Sequence, residues 1–317
     1  IEPNPRVTSV ERATALCRAE GVDLVVAVGG GLTMDASKAI CAAAGHDGPA
    51  WDLVLDNSLV KDALPLMTVN TIAATGSEYD NGAVISNIET NEKLPLASDL
   101  LWPVVSFIDP AYTITVPARQ TVAGSCDIMS HYLEQYFVKD ISPVAEGLIE
   151  GILRTVIRNT PVVLENPGDL DARSELLWAS TLGCNGIAAL GSQASGWPCH
   201  PIEHEVSARY DITHGIGLAI LTPRLLRYFL EKAPEFLDRF AGFAERVMGL
   251  RADEFDSCEA LAEAGLVKLD AFYKSVGVPA AGLAELGIDN THFEAMAEHI
   301  EKHWFAPLEA FPVPFTR

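Results

Sequence analysis

The stretch DLVVAVGGGLTMDASKAICAAA, from Asp23 to Ala44, decides the fold that we predict for this chain. Its first six residues form a short apolar run, which is typical of a buried parallel strand. Gly29 to Gly31 follow, and residues 33–44 then show a helical pattern. This order allows a phosphate to approach free backbone N–H groups at the helix N-terminus. Because the glycines do not form the G-x-G-x-x-G fingerprint, a tight turn without a ligand remains an alternative.

Outward from this unit, helix and strand patterns alternate. The spacing of apolar residues predicts a helix over 7–20, and further strand-like runs follow over 64–69, 83–88 and 103–108. A polar turn, ATGSE over 74–78, interrupts these runs. Its hydroxyls are suited to a phosphate or ribose, and an ordinary surface turn is the alternative. The alternation predicts a doubly wound α/β domain with a parallel sheet.

Beyond Pro117 the pattern is helical. Apolar faces at helical spacing predict helices over 120–138, 145–164, 172–190, 200–208, 215–232, 259–275 and 292–304. We therefore expect a dinucleotide-binding α/β domain over 1–116 and an all-helical metal-binding domain over 117–317.

Composition excludes several classes of partner. The chain has 317 residues and a formal net charge of −21, whereas nucleic acids and anionic membranes need a basic patch. No apolar run approaches the length of a membrane span. The six cysteines form no C-x-x-C pair. Such cysteines are typical of reduced thiols, so we expect a cytoplasmic protein.

An aspartate and several histidines are the candidate metal ligands. Asp127 and His131 lie four residues apart in a helical segment, as do His200 and His204 in the next one, and His214 follows a short polar loop. Residues four apart share a face of a helix. One carboxylate with three imidazoles suits Zn²⁺ or Fe²⁺ better than Ca²⁺ or Mg²⁺. From spacing alone, a hydrogen-bonded Asp–His pair and core histidines remain alternatives.

These segments resemble the iron-containing (group III) alcohol dehydrogenase family, in particular its NADPH-dependent aldehyde reductase and butanol dehydrogenase subgroup. The resemblance rests on PNP at Asn4, the GGG–D–K segment, ATGSE, ISN, the pair Asp109-Pro110, DIMSHYLEQY, WASTLGCNG and the pattern H-x3-H-x9-HG, which begins at His200. It covers most of the chain up to about residue 235.

The resemblance implies a role for each matched position. It makes Asp127, His131, His200 and His214 the metal ligands, and it makes His204 a histidine near the substrate that relays a proton. Gly30, Gly31, Leu32 and Asp35 match the pyrophosphate-binding segment, with Leu32 standing where the family has Ser. The positions that match residues lining the nicotinamide half of the cofactor are Thr71, Thr75, Lys93 and Tyr112. An ordinary exposed lysine is the alternative for Lys93.

The family's first strand–helix–strand region, upstream of PNP, has no counterpart in this sequence. That region contacts the adenosine ribose and any 2′-phosphate, so NADP(H) and NAD(H) both remain open as cofactors. The parallel sheet is accordingly expected to lack its first strands.

The function implied is hydride transfer between a nicotinamide and a small aldehyde or alcohol, with Fe²⁺ or Zn²⁺ polarising the substrate oxygen. The resemblance also implies a homodimer. One alternative is a lyase of the dehydroquinate synthase type, which needs several Lys or Arg residues near the metal. Another is a catalytically inactive, metal-stabilised protein, which nicotinamide cofactors would not stabilise in a thermal-shift titration.

Overall fold

The computed structural model describes residues 4–304 and residue 313, and the predicted second domain therefore ends partly outside the described residues. The strands are β1 (Val25–Gly29), β2 (Leu66–Asn70), β3 (Gly82–Asn87), β4 (Glu92–Ala97) and β5 (Val105–Ile108). The α-helices of the first part of the chain are α1 (Val7–Glu20), α2 (Gly31–Ala44) and α3 (Ala50–Leu55). Those of the second part are α4 (Ala118–Tyr136), α5 (Pro143–Glu165), α6 (Leu170–Thr181), α7 (His200–Tyr210), α8 (His214–Lys232), α9 (Leu237–Gly242), α10 (Cys258–Ser275) and α11 (Phe293–His303).

A parallel sheet of three strands, in the order β1-β2-β5, organises the first part of the chain. Val69 of β2 pairs with Val28 on one side and with Phe107 on the other. Helix α2 covers one face of the sheet, where Met34 and Cys41 pack against Ala27 and Leu66. All three strands end at the same edge, and a parallel α/β sheet presents its ligand-binding loops at that edge.

The second face of this sheet is apolar and largely exposed. Val26, Val28, Val105 and Phe107 keep 43–62 % of their surface accessible within the described residues. The continuous apolar run in β1 predicted burial on both faces, but only the face under α2 is covered there.

The run at 83–88 is a strand, but it does not belong to the parallel sheet. It forms β3, which pairs antiparallel with β4 so that Ile85 faces Leu94. Strand β4 was not predicted, because its sequence EKLPLA contains two charged residues and a proline, which are uncommon in strands. This β3–β4 hairpin packs against α2 and carries Lys93 towards the helical part of the chain.

Lys38 joins α2 to the segment that leads into β3. Its ammonium is fully buried and donates to Ser77 Oγ (2.9 Å), Asp80 Oδ1 (2.5 Å) and the Gly82 carbonyl (2.7 Å). A buried ammonium tolerates the loss of water only when such partners replace it. Lys38 therefore fixes the turn that leads from β2 into the hairpin.

Helix α4 is the centre of the helical part, and its residues from Thr121 to Tyr136 are all buried. It lies against α8 at very short range, because a Cβ atom added at Gly215 would overlap the Ala123 backbone carbonyl of α4. The sixth helix ends at Thr181 and not at residue 190 as predicted. Gly183 and Gly186 follow, and the Gly183 carbonyl accepts a hydrogen bond from Gln135 Nε2 at 2.8 Å, which holds the chain against α4.

Candidate metal centre and cofactor cleft

The imidazoles of three predicted metal ligands, His131, His200 and His214, point at the carboxylate of the fourth, Asp127. Asp127 and His131 lie one turn apart on α4, while His200 and His214 are the first residues of α7 and α8. The Asp127 Oδ1 atom lies 3.4 Å from His131 Nε2, 3.6 Å from His214 Nε2 and 4.0 Å from His200 Nε2. Ligands 2.0–2.2 Å from a tetrahedral zinc ion lie about 3.3–3.6 Å apart. The spacing thus suits a divalent transition metal.

The Oδ1 atom of Asp127, which lies at the middle of these four ligands, is a buried acceptor without a hydrogen-bond partner. Asp127 is 3 % exposed, and its Oδ1 atom receives no hydrogen bond. An ionised oxygen in that position is costly unless a cation compensates it. Burial raises the pKa of Asp127, and His214 and His200 oppose that shift. The residues present therefore fit a bound metal ion.

Two buried glutamates orient the ligand histidines from behind. Glu134 Oε1 lies 2.5 Å from His200 Nδ1, and Glu203 Oε2 forms a hydrogen bond with His214 Nδ1. Because each Nδ1 is bound to a carboxylate, each Nε2 is left with its lone pair towards Asp127. Neither glutamate was predicted from the sequence. The signal available was a glutamate at helical spacing from a candidate ligand, at His131+3 and at His200+3.

Two of the three ligand imidazoles, His131 and His214, are held neutral, as metal ligands must be. Burial, with His200 nearby, lowers the pKa of His131 to about 3. Burial and then Lys93 lower the pKa of His214 well below its ordinary value. His200 differs: burial lowers its pKa, but the carboxylates of Glu134, Asp127 and Glu203 together raise it above its ordinary value.

His204 lies beside the metal ligands but makes no contact with Asp127 that would place it among them. Its ring centre is 6.0 Å from that of His200 and 5.5 Å from that of His214. Burial and then Lys93 hold its pKa well below the ordinary value, and its Nδ1 atom has no hydrogen-bond partner. Although Glu203, His204 and His214 could also surround an ion, the Nε2 atom of His214 faces Asp127.

Two tryptophans border the centre. The Trp197 ring meets His131 and His200 edge-on at 5.8 and 5.3 Å, and its backbone has a left-handed φ of 54°. Such backbone strain in a non-glycine residue is most common at functional sites. Trp304 meets His204 at 5.7 Å and donates from Nε1 to the Gly196 carbonyl at 2.9 Å. Both rings line a cleft of about 320 Å³ that also contains the four metal ligands.

The predicted cofactor residues fall into two groups. Leu32, Asp35, Thr75 and Lys93 line the same cleft as the metal ligands. The other four, Gly30, Gly31, Thr71 and Tyr112, follow the carboxyl ends of β1, β2 and β5 without lining that cleft. At Gly31 an added Cβ atom would overlap the Thr75 side chain, so the two loops approach each other closely.

Asp35 and Lys93 have protein partners. The Asp35 carboxylate accepts from Ser77 Oγ at 2.7 Å and from the Val84 amide at 2.9 Å, and burial raises its pKa to about 6. Lys93 Nζ donates to Ser207 Oγ at 2.9 Å and lies 3.5 Å from both Glu203 Oε2 and His214 Nδ1. Lys93 is thus a buried ammonium beside the metal centre, not an exposed lysine.

A parallel α/β sheet with a glycine turn, facing a buried Asp–His centre at the head of a helical region, defines a metal-dependent enzyme with a nucleotide cofactor. The sequence comparisons identify the family. Residues 1–110 match the iron-containing alcohol dehydrogenase family, and residues 121–306 match the C-terminal region of the Fe-containing alcohol dehydrogenase family. The chain belongs to the iron-containing alcohol dehydrogenase family.

Individual relatives agree with this family assignment. NADH-dependent butanol dehydrogenase A of Clostridium acetobutylicum is 45 % identical over 299 residues, which are 94 % of this chain and 75 % of that protein. NADPH-dependent aldehyde reductase YqhD of Escherichia coli is 33 % identical over 312 residues, 97 % of this chain and 79 % of that one. The crystal structure of NADH-dependent butanol dehydrogenase A from Thermotoga maritima has a TM-score of 0.92 and 35 % identity, and the match covers 100 % of this chain and 79 % of that one.

These findings confirm the predicted fold class and the prediction of a metal-containing, NAD(P)-dependent alcohol dehydrogenase. In the described part of the chain no helix is long and apolar enough to span a membrane. The roles of individual site residues remain predictions.

Proposed function

We propose that this chain catalyses the NAD(P)H-linked interconversion of small aldehydes and primary alcohols at the Asp127 centre. The observation that carries the proposal is the convergence of three imidazole Nε2 atoms on the unpartnered Oδ1 atom of Asp127, inside a cleft shared with the start of α2. When bound, a divalent metal supplies a Lewis acid for the substrate oxygen, and a nicotinamide supplies or accepts hydride.

The chain's own residues hold and screen the reacting groups. Asp127, His131, His200 and His214 are the residues that would hold the metal. Trp197 and Trp304 form apolar walls beside them, which limit the size of the substrate and exclude water. The glycine turn before α2 offers backbone N–H groups to the cofactor pyrophosphate, with Thr71, Thr75 and Tyr112 on neighbouring loops.

His204 is proposed as the proton route. Because it is buried and neutral, its unpartnered nitrogen can accept the proton that an alcohol releases and return it during aldehyde reduction. Lys93 stands behind His214 and Glu203, where its charge favours the neutral form of both His204 and His214.

The proposal is tested with His200→Ala and His214→Ala, each compared with His46→Ala, which removes a histidine far from the centre along the chain. We expect the first two variants to lose metal and turnover of short aldehydes, while His46→Ala keeps both. Full activity of His200→Ala after chelator treatment would contradict the proposal. Parallel assays with NADH and NADPH establish which cofactor the chain uses.

The lyase alternative has no support in the cleft. Among the described residues that line it, Lys93 is the one cationic side chain, whereas a phosphorylated, carboxylated substrate requires several. If the protein is inactive and binds no cofactor, neither NADH nor NADPH will raise its melting temperature.

We also propose a homodimer in the cytoplasm. The family resemblance supports the dimer, and light scattering that gives the mass of a single chain would contradict it. The six cysteines are all free, including buried Cys41, Cys126 and Cys199, which supports a reducing compartment. Cell fractionation tests the location.

A further inference from the structure

A second group of imidazoles and carboxylates lies where β4, α7 and α11 meet, apart from the Asp127 centre. It consists of Glu92 on β4, Glu205 on α7, and His299 and His303, one turn apart on α11. We infer that Glu92, His299 and His303 form a second divalent-cation site, of the zinc type, with Glu205 as the group that orients His299. We call these four residues the Glu92 cluster.

The geometry is that of a ligand set. One candidate ligand atom from each of Glu92, His299 and His303 lies within 4.8 Å of the others. The His299 Nε2 atom is 3.4 Å from Glu92 Oε1, which equals the separation of His131 from Asp127 in the catalytic centre. That value falls within the spacing of about 3.3–3.6 Å between ligands of a tetrahedral zinc ion.

Glu205 gives the cluster the same support that Glu134 gives His200. Its Oε1 atom lies 2.6 Å from His299 Nδ1, and His299 Nε2 lies 3.4 Å from Glu92 Oε1. With the proton on Nδ1, the lone pair of Nε2 is free for a metal ion bound beside Glu92. A ligating histidine almost always has its other nitrogen bound in this way. Glu205 therefore orients the His299 ring in the way that such a partner does.

The charges also favour a cation. The rings of His299 and His303 stack with centres 4.4 Å apart, and two imidazolium ions in that position would repel each other. Burial and then His299 lower the pKa of His303, so it is available as a neutral ligand. The carboxylates of Glu92 and Glu205 lie beside these imidazoles and attract a divalent ion, and nitrogen ligands favour Zn²⁺ over Mg²⁺.

An ion in this position would hold one wall of the catalytic cleft. Trp304 follows His303 directly and rests against His204, while Glu205 adjoins His204 on α7 and Glu92 adjoins Lys93 on β4. A cation bound by β4 and α11, with Glu205 of α7 holding His299, would fasten the end of α11 to the two elements that carry catalytic-site residues. The second site is thus structural, and its loss should loosen the Trp304 wall without removing the catalytic metal.

Zinc stoichiometry tests the inference. In equilibrium dialysis against micromolar Zn²⁺, the unaltered protein should retain two ions per chain and the double variant His299→Ala/His303→Ala one. His292→Ala removes an imidazole just before α11 and should retain two. Uptake of one ion by the unaltered protein, or of two by the double variant, would overturn the inference.

Two further variants guard against misfolding and against failure of the catalytic site. Glu205→Gln preserves the shape of the side chain and should weaken one of the two zinc affinities by about 10- to 100-fold while the other is unchanged. His200→Ala/His214→Ala removes catalytic ligands and should still gain thermal stability from Zn²⁺. If Zn²⁺ does not stabilise that variant although it folds, the second site is refuted even when the proposed catalytic activity is confirmed.

Discussion

Glu134→Gln is the substitution that tests most directly how this chain builds its metal centre. The Glu134 carboxylate is 4 % exposed and bound on both oxygens. Its Oε2 atom accepts from the amides of Cys199 (2.6 Å) and His200 (3.2 Å), and its Oε1 atom faces His200 Nδ1 (2.5 Å) and the Ser130 hydroxyl (2.8 Å). Glutamine has one acceptor oxygen, so it can keep the hydrogen bonds of Oε2 or those of Oε1, but not both.

We expect the glutamine oxygen to stay with the two backbone amides, because they cannot move away from the start of α7. Its NH₂ group then faces His200 Nδ1, which can no longer donate. Either Nδ1 keeps a buried unsatisfied proton, at a cost of about 1–3 kcal/mol, or the proton moves to Nε2 and blocks metal ligation. The expected loss of metal affinity is about 10- to 100-fold, equivalent to about 1.4–2.7 kcal/mol.

The assay is a titration of metal-free protein with Zn²⁺ against a chromogenic chelator, combined with calorimetric unfolding in the presence of a chelator. Glu150→Gln is the matched control, because Glu150 is also buried and bound, to Tyr136 and Arg246, but lies on α5 away from the centre. The control should change unfolding and leave metal affinity intact. A Glu134→Gln affinity within twofold of the unaltered protein would refute the reasoning.

Gly215→Ala should destabilise the protein by about 1–3 kcal/mol in chemical unfolding and weaken metal binding, because its Cβ atom would push α8 away from the Ala123 carbonyl; unchanged values of both would contradict the packing argument. Lys38→Met leaves Asp80 buried without its cation and should cost about 3–5 kcal/mol in the same assay. His204→Gln should retain the metal, measured by elemental analysis, but lower kcat by about 100-fold or more. Unaltered kcat would remove His204 from the proton route.

Local patterns were sufficient to predict most of the elements. The run before Gly29 and the spacing in α2, α4 and α8 reflect backbone geometry, which neighbouring residues determine. Strand β4 was missed because its stability comes from pairing with β3 and packing on α2, and EKLPLA alone shows neither. The helix predicted over 172–190 was too long because its apolar residues continue after Gly183, where the chain bends back onto α4.

For the site, too, spacing along the chain predicted part of the arrangement, and contacts between distant segments determined the rest. Spacing indicated that Asp127 and His131 share a helix face, but not that His200 and His214 would meet them from two other helices. Contacts between distant segments also determine which groups Asp35 and Lys93 bind. Asp35 binds Ser77 and the Val84 amide, and Lys93 reaches Ser207 across the cleft, so neither partner is encoded near the residue itself.

The charges around the centre give a physical reason for its dependence on an ion. Asp127, Glu134 and Glu203 place three buried carboxylates around the centre, and the buried ammonium of Lys93 lies 3.5 Å from Glu203 Oε2. Two negative charges are left when all four groups are ionised. Buried charges without partners are costly, and a divalent cation at Asp127 neutralises this excess. The carboxylates that orient His200 and His214 therefore also supply the negative charge that a metal ion neutralises. Retention of the ion and stability of the helical core are coupled for this reason.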